Sequence, residues 1–177
     1  MPPSDHAAGD DPTNVPPPLT LRHPRRDVQV DFRWQNDRYD HVLLSGDKRL
    51  ESLEQRAGDA WPDCPPLQQL SIESIAGHEV ALGVGCAGTS HWSVSIEPTE
   101  NGFRFDWACR TKKPPQRLGN CYGNASGFEL HNGAETESQT NDQILTVTPR
   151  QSFQNAGTFR WQYELTSGAK IAPSGRQ

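Results

Sequence analysis

The residue types of a nucleophilic catalytic site occur close together at His91, Ser93 and Asp106. Apolar and polar residues alternate strictly over 90–96 and over 103–109, which is the period of a β-strand with one buried face. His91 and Ser93 share the polar face of the first segment, and Asp106 lies on the polar face of the second. If the two segments pair, the three side chains lie on one surface of a sheet.

The two segments are joined by Asn101-Gly102, a pair of residues typical of a tight β-hairpin turn. The predicted hairpin places Ile96 opposite Phe103 and Ser93 opposite Asp106. Cross-strand neighbours have Cβ atoms about 5 Å apart, so a serine hydroxyl there would have an acid and a base within a few ångströms. A hydrolase that uses this cluster is therefore one alternative.

The same polar face also fits binding without catalysis. The solvent side of an antiparallel sheet normally carries polar side chains, and the Gly-x-Ser-x-Gly turn that holds many serine nucleophiles is absent from the sequence. We therefore predict a binding module for a small molecule or a protein rather than an enzyme. A structural protein that assembles through its edge strands is a further alternative.

Aromatic residues are concentrated on the apolar faces of the predicted strands. Trp92 and Trp107 belong to the hairpin, and Trp161 belongs to another alternating segment, 158–165. Such rings usually form a core, but aromatic walls with a few polar groups are also the usual composition of a ligand pocket. The predicted ligand contacts are Trp92, Trp107, Trp161 and the polar-face Arg104.

The stretch 83–88 has the sequence GVGCAG and matches Gly-x-Gly-x-x-Gly. In a dinucleotide-binding fold this pattern opens a helix, whereas the residues that follow here, 89–94, have the composition of a strand. We interpret the stretch as a flexible hairpin connection or a bulge, and we predict no phosphate loop.

Cysteine and histidine do not form a metal-binding pattern. The cysteines at 64, 86, 109 and 121 lack the close pairs of structural zinc sites. We predict free thiols, a buried Cys109 that acts as a small apolar residue, and no metal or cofactor. For His41, His78 and His91 we predict a solvated or singly hydrogen-bonded imidazole.

The chain has a formal net charge of −5 at pH 7, which argues against nucleic acid as a partner. Two basic clusters, at 22–26 and 110–117, are interpreted as solvated loops. No segment has the length of a membrane span or the apolar core of a secretory signal. We predict a cytoplasmic protein with no nucleic-acid or membrane partner.

Eight or nine short segments carry strand patterns, and no segment has the period of an amphipathic helix. They predict a single all-β domain over 21–166, either an antiparallel sandwich or a flattened barrel. The composition of residues 1–20 and 167–177 predicts flexible tails, and the polar composition of residues 128–140 predicts a loop. The order of the strands and the oligomeric state stay open.

Overall fold

The computed structural model describes residues 15–53 and 59–168. These residues form thirteen β-strands, and no helix among them has the length and apolarity of a membrane-spanning segment. In chain order the strands are β1 (Leu19–Arg22), β2 (Gln29–Gln35), β3 (Arg38–Ser45), β4 (Lys48–Ser52), β5 (Gln69–Ile75), β6 (His78–Ala87), β7 (Ser90–Pro98), β8 (Gly102–Arg110), β9 (Asn120–Gly123), β10 (Phe128–Asn132), β11 (Thr136–Asn141), β12 (Ile144–Pro149) and β13 (Thr158–Ser167).

The strands form two antiparallel sheets. The first sheet has the order β1-β2-β3-β4-β9-β12-β11, and the second has the order β10-β13-β8-β7-β6-β5. Each sheet therefore contains a four-stranded meander, β1–β4 or β5–β8, extended by strands from the second half of the chain. The predicted all-β antiparallel fold is confirmed, and of the two predicted architectures the structure has the sandwich.

The inward faces of both sheets share one hydrophobic core. Strict alternation places Trp92, Val94 and Ile96 on the inner face of β7, and each is at most 4% exposed. The second sheet also supplies stacked Trp107 and Trp161, whose ring centroids are 6.2 Å apart. Because successive side chains of a strand point to opposite faces, the alternation of apolar and polar residues puts the apolar ones on a single face, which is buried.

The edges of the two sheets lie close together on both sides of the sandwich. On one side β1 contacts β5 and β6, and on the other side β10 contacts β11. The chain passes between the sheets at Leu67, whose carbonyl accepts a hydrogen bond from the Tyr39 amide at 2.7 Å. One residue later, the Gln68 amide donates to the Val84 carbonyl of β6 at 2.9 Å.

Several strands lie where the sequence predicts no strand. Strand β1 begins at Leu19, inside the predicted flexible tail, and the predicted loop 128–140 contains β10 and most of β11. Strand β11 is exposed along its whole length except at Thr136. Because neither face of such a strand needs apolar residues, alternation gives no signal, and the prediction of a loop is wrong.

The glycine-rich stretch is also not the connection that the sequence predicts. Gly83 and Gly85 lie inside β6, which continues to Ala87, and the turn to β7 begins only at Gly88. A Cβ on Gly85 would lie 2.0 Å from the Pro66 carbonyl oxygen. Glycine is therefore required at this position because the crossing segment passes directly against the strand.

The β7–β8 hairpin exists, but its register differs from the prediction by two residues. Ile96 lies opposite Phe105 rather than Phe103, and Ser93 lies opposite Ala108 rather than Asp106. The Thr99 amide donates to the Gly102 carbonyl at 2.9 Å, so the turn precedes Gly102. A shift of two residues keeps every side chain on its predicted face.

Candidate functional site

A groove of about 570 Å³ lies on the outer face of the second sheet, over the β7–β8 hairpin. Its position coincides with the polar face that the alternation of the hairpin predicts. The lining residues come from five strands and from the segment that precedes β5: Gln68, Gln69, Val84, Gly85, Cys86, His91, Trp92, Ser93, Ala108, Arg110 and Thr158.

Antiparallel pairing arranges these residues in two rows across the sheet. The first row is Cys86, His91, Arg110 and Thr158, each opposite the next on the neighbouring strand. The second row is Gln69, Val84, Ser93 and Ala108, and it continues beyond the lining residues to Arg160 on β13. Neighbouring strands are about 4.8 Å apart, so the four strands that carry Val84 to Arg160 span about 14 Å.

The floor of the groove has an apolar part. Val84 is 46% exposed and Leu82, two residues earlier on β6, is 37% exposed. A second cavity of about 460 Å³ is lined by Leu82 and shares Val84 and Ser93 with the groove. Exposed branched side chains beside open space are typical of a surface that contacts a ligand or partner.

The segment before β5 is held against β6 by a side-chain amide. The Gln68 Oε1 accepts a hydrogen bond from the Cys86 amide at 2.8 Å, and the Gln68 Nε2 donates to the Cys86 carbonyl at 3.1 Å. This pair imitates one step of strand pairing at the end of β6. The segment before β5 therefore forms one wall of the groove and is hydrogen-bonded to the sheet.

The predicted nucleophilic cluster is only partly assembled. His91 and Ser93 both line the groove and are exposed, whereas Asp106 is not among the lining residues. Asp106 lies opposite Ser95, and its Oδ2 accepts a bond from Gln162 Nε2 at 3.4 Å. In the described part of the chain no hydrogen bond joins His91, Ser93 and Asp106 to one another.

The predicted ligand contacts divide between the groove and the interior. Trp92 is 3% exposed and lines the groove, while Trp107 and Trp161 are 0% and 1% exposed and belong to the closed core. Arg104 lies at the other end of β8, where it pairs with Glu97 on β7. The prediction of the site did not include the other eight lining residues, among them Val84, Cys86 and Arg110.

The position of Arg110 can be found from the sequence. The alternation of 103–109, continued by one residue, places Arg110 on the same face as Asp106. The predicted hairpin puts Arg110 near the His91, Ser93 and Asp106 cluster, but the basic cluster that begins at Arg110 is interpreted as a solvated loop and Arg110 is not included in the predicted site. Cys86 and Val84 reach the groove through the pairing of β6 with β7, for which the sequence of the hairpin contains no signal.

A connected chain of polar groups lies in the core behind the groove. The Trp107 Nε1 donates to Tyr163 Oη at 3.2 Å, the Tyr163 and Tyr122 hydroxyls are 2.5 Å apart, and Tyr122 Oη lies 2.9 Å from His41 Nε2. The indole and both hydroxyl donors each have an acceptor if Tyr163 donates to Tyr122 and Tyr122 donates to His41 Nε2. This direction assigns the His41 proton to Nδ1.

Burial shifts the pKa values of the titratable groups in this hydrogen-bonded series. Loss of solvent lowers the pKa of His41 to about 4 and raises the pKa values of Tyr122 and Tyr163, because the charged form is disfavoured away from water. The single hydrogen bond of His41 agrees with the prediction of a singly bonded imidazole. These groups are neutral at pH 7 and act as structural polar groups of the core.

The four cysteines differ in their access to solvent. All four are free thiols, and Cys86 in the groove is the exposed one. Burial raises the pKa of both Cys64 and Cys109 to about 12 and also raises the pKa of Cys121. The prediction that Cys109 is a buried apolar residue is confirmed.

The histidines do not come together. His41 lies in the core, His78 is exposed at the start of β6, and His91 is on the outer face of β7. Within residues 15–53 and 59–168, no group of three or more His, Cys, Asp or Glu side chains is arranged to hold a metal ion.

A larger polar cavity of about 830 Å³ lies away from the hairpin groove. It is lined by charges of both signs and by hydroxyl and backbone groups: Arg26, Asp27, Ser45, Gly46, Asp47, Lys48, Asn101, Glu129, His131, Glu164, Thr166, Ser167 and Gly168. No large exposed apolar side chain contributes to it. The groove over the hairpin therefore combines apolar and polar contacts in a way that this cavity does not.

Compared with known proteins, the chain matches no family model, no curated protein and no solved structure.

Proposed function

We propose that this protein is a non-catalytic binding module whose ligand is a small molecule held in the groove over the β7–β8 hairpin. The observation that carries the proposal is the groove itself, about 570 Å³ in volume. Small-molecule sites commonly have about 300–1,000 Å³ and combine apolar walls with a few polar groups. Val84 and Ala108 supply the apolar contacts, and Ser93, His91 and Arg110 supply the polar ones.

The neutral dye Nile red tests whether the groove takes an apolar molecule. Val84→Gln removes the most exposed apolar side chain of the floor, while Ile144→Gln makes the same kind of change on β12, where Ile144 is 43% exposed. We expect Val84→Gln to weaken Nile red binding about fivefold, since about 1 kcal/mol of apolar contact is lost. Ile144→Gln is expected to leave the affinity unchanged.

Two results would contradict this proposal. Equal effects of Val84→Gln and Ile144→Gln on Nile red fluorescence would mean that the dye is not in the groove. If Nile red does not bind to the wild type, the groove is not a site for apolar molecules. Hydrolysis remains the alternative, favoured by the joint presence of His91 and Ser93 in the groove. Ester hydrolysis that Ser93→Ala abolishes would replace the binding proposal with that alternative.

A further inference from the structure

We infer that the ligand of the groove is an amphipathic anion, with an apolar body over Val84 and Ala108 and an anionic head group bound by Arg110 and Arg160. This inference rests on the proposed function and names the ligand class for the same site. The head group is a carboxylate or a phosphate monoester, because both accept the parallel hydrogen bonds of a guanidinium.

The guanidinium groups of Arg110 and Arg160 have no partner in the described part of the protein. Among the arginines that the structure describes, five pair with a carboxylate, and Arg22, Arg26 and Arg150 donate to amide or carbonyl oxygens. Within residues 15–53 and 59–168 the guanidinium groups of Arg25, Arg110 and Arg160 do neither, and of these three only Arg110 and Arg160 lie on the outer face of the second sheet. The two guanidinium groups are therefore available to an anion from solution.

The side chains of Arg110 and Arg160 are close enough to reach one anion. Arg110 lies opposite Thr158, and Arg160 lies opposite Ala108, so the two arginines are diagonal neighbours on β8 and β13. Diagonal neighbours are about 7–8 Å apart between Cα atoms, a distance that long side chains bridge. His91, directly opposite Arg110 on β7, adds a third nitrogen-bearing side chain to this end of the groove.

The carboxylates of this face lie outside the two rows of the groove. Asp106 is in the next row, diagonal to Arg160, and accepts a bond from Gln162, while Glu97 and Glu164 are one row further away, where Arg104 pairs with Glu97. The two rows of the groove contain arginine and no carboxylate. A chain with a net charge of −5 thus has a local positive site beside an apolar floor.

The dimensions of the face match a molecule with one charged end. Val84 and Ala108 are two strand spacings apart, about 10 Å, and Arg160 is one further spacing away. An alkyl chain of medium length, or a pair of fused rings, covers this distance from floor to head group. The proposed probes are therefore octanoate and its neutral analogue, octanol.

The experiment compares octanoate and octanol by calorimetry on the wild type, Arg110→Gln and Arg104→Gln. Arg104 is the matched control, because it is on the outer face of the same strand but is paired outside the groove. A charge-assisted hydrogen bond of about 1.5 kcal/mol corresponds to a preference of about tenfold for octanoate. We expect Arg110→Gln to abolish this preference and Arg104→Gln to keep it.

Alkylation of Cys86 by iodoacetamide locates the bound probe, since this exposed thiol lines the groove. Octanoate is expected to slow the alkylation of Cys86 in the wild type. If Arg110→Gln does not fold, as judged by circular dichroism, Arg160→Gln takes its place with the same expected loss of preference.

The possible failures are distinguishable. If octanol binds as tightly as octanoate and protects Cys86 equally, the groove binds apolar molecules and the anionic head group is overturned. If Arg110→Gln and Arg104→Gln reduce the preference equally, the anion is not held at Arg110, which also overturns the inference. If neither probe binds or protects Cys86, the inference and the proposed function both fail.

Discussion

At the scale of single residues, the most constrained group is the buried imidazole of His41. The relay from Trp107 through Tyr163 and Tyr122 ends at His41 Nε2, which accepts the last proton. A proton added to Nε2 forces Tyr122 to act as an acceptor and to turn its own proton towards Tyr163. The Tyr163 proton then has no acceptor, so protonation disturbs the whole chain.

Acid is therefore expected to destabilise the protein through His41. The imidazole has a pKa near 6.5 when unfolded and about 4 when folded, so the unfolded state binds the proton first as pH falls. The contribution of His41 to the free energy of unfolding is fully present above pH 6.5 and decreases as pH falls from 6.5 towards 4. The free energy of unfolding is about 2 kcal/mol lower by about pH 5.

Urea unfolding of the wild type and His41→Gln at about pH 7.5 and pH 5 measures this loss. Glutamine does not titrate, so the variant should lose about 2 kcal/mol less than the wild type between the two pH values. Equal losses in the two proteins would show that His41 is not the group responsible.

The sequence predicts the face on which a residue lies better than it predicts the partners of that residue. Alternation correctly separates buried Trp92 and Cys109 from exposed His91 and Ser93. It contains no information about whether the Arg110 guanidinium meets a carboxylate, because that depends on which strand pairs with β8. The sequence therefore indicates the surface of the site but not its charge.

At the scale of elements, the β7–β8 hairpin shows why face and register are separate problems. Both the predicted and the observed register put the same residues inside, because they differ by two residues. The observed register places Arg104 opposite Glu97, an oppositely charged pair, whereas the predicted one does not. Cross-strand charge complementarity is the sequence signal that distinguishes them.

Gly102 is required by packing between strands and not by the turn that the sequence predicts. A Cβ at this position would lie 2.0 Å from the Leu165 carbonyl oxygen of β13. Gly102→Ala is therefore expected to lower the free energy of unfolding by about 1–3 kcal/mol, the usual cost of overpacking. Urea unfolding measures the change.

Gly157→Ala is the matched control for this substitution. Gly157 has no atom within 4 Å of the position that a Cβ would take, and its backbone is not left-handed. The control should be neutral or slightly stabilising, because alanine restricts the unfolded chain. A Gly102→Ala variant as stable as the control would contradict the close approach of β8 and β13.

The strands that the sequence does not predict have a common physical cause. Strand β10 has no fully buried residue, and β11 is buried only at Thr136. Such strands are held by pairing with β13 and β12 rather than by a buried face of their own. Hydrophobic alternation detects burial and not pairing, which is why it does not detect these two elements.

At the scale of the whole molecule, the two sheets cover part of each other's edges. Strand β1 contacts β5 and β6, and β10 contacts β11. Edge strand β11 also carries polar side chains along its exposed length, a feature that discourages pairing between molecules. Edge strand β5, in contrast, carries Ile75, which is 47% exposed, so the alternative prediction of assembly through edge strands applies to β5.

Light scattering is expected to give the mass of a monomer, 19.7 kDa, across a wide range of protein concentration. A mass that rises with concentration would favour the assembly alternative. If the rise disappears when Ser74→Pro removes a backbone amide that points away from β6 at the free edge of β5, pairing through that edge would be established.

The groove is also a property of the whole molecule. Its residues come from segments that are far apart in the sequence, from Gln68 to Thr158. Only the pairing of β8 with β13 and of β6 with β7 brings them to one surface. The alternation within the β7–β8 hairpin predicts the residues at the centre of this surface. The residues on either side of it come from β6 and β13, whose pairing with the hairpin the alternation does not predict.

The missing side chain at Gly85 has a consequence for how this surface could change through mutation. The chain crosses between the sheets directly beneath Gly85, with the Pro66 carbonyl where a methyl group would be, while the groove lies above it. Any larger residue must lift β6 or displace the crossing segment. A substitution at Gly85 would therefore change which molecules fit by moving β6 and the crossing segment, and not by adding a side chain to the outer surface.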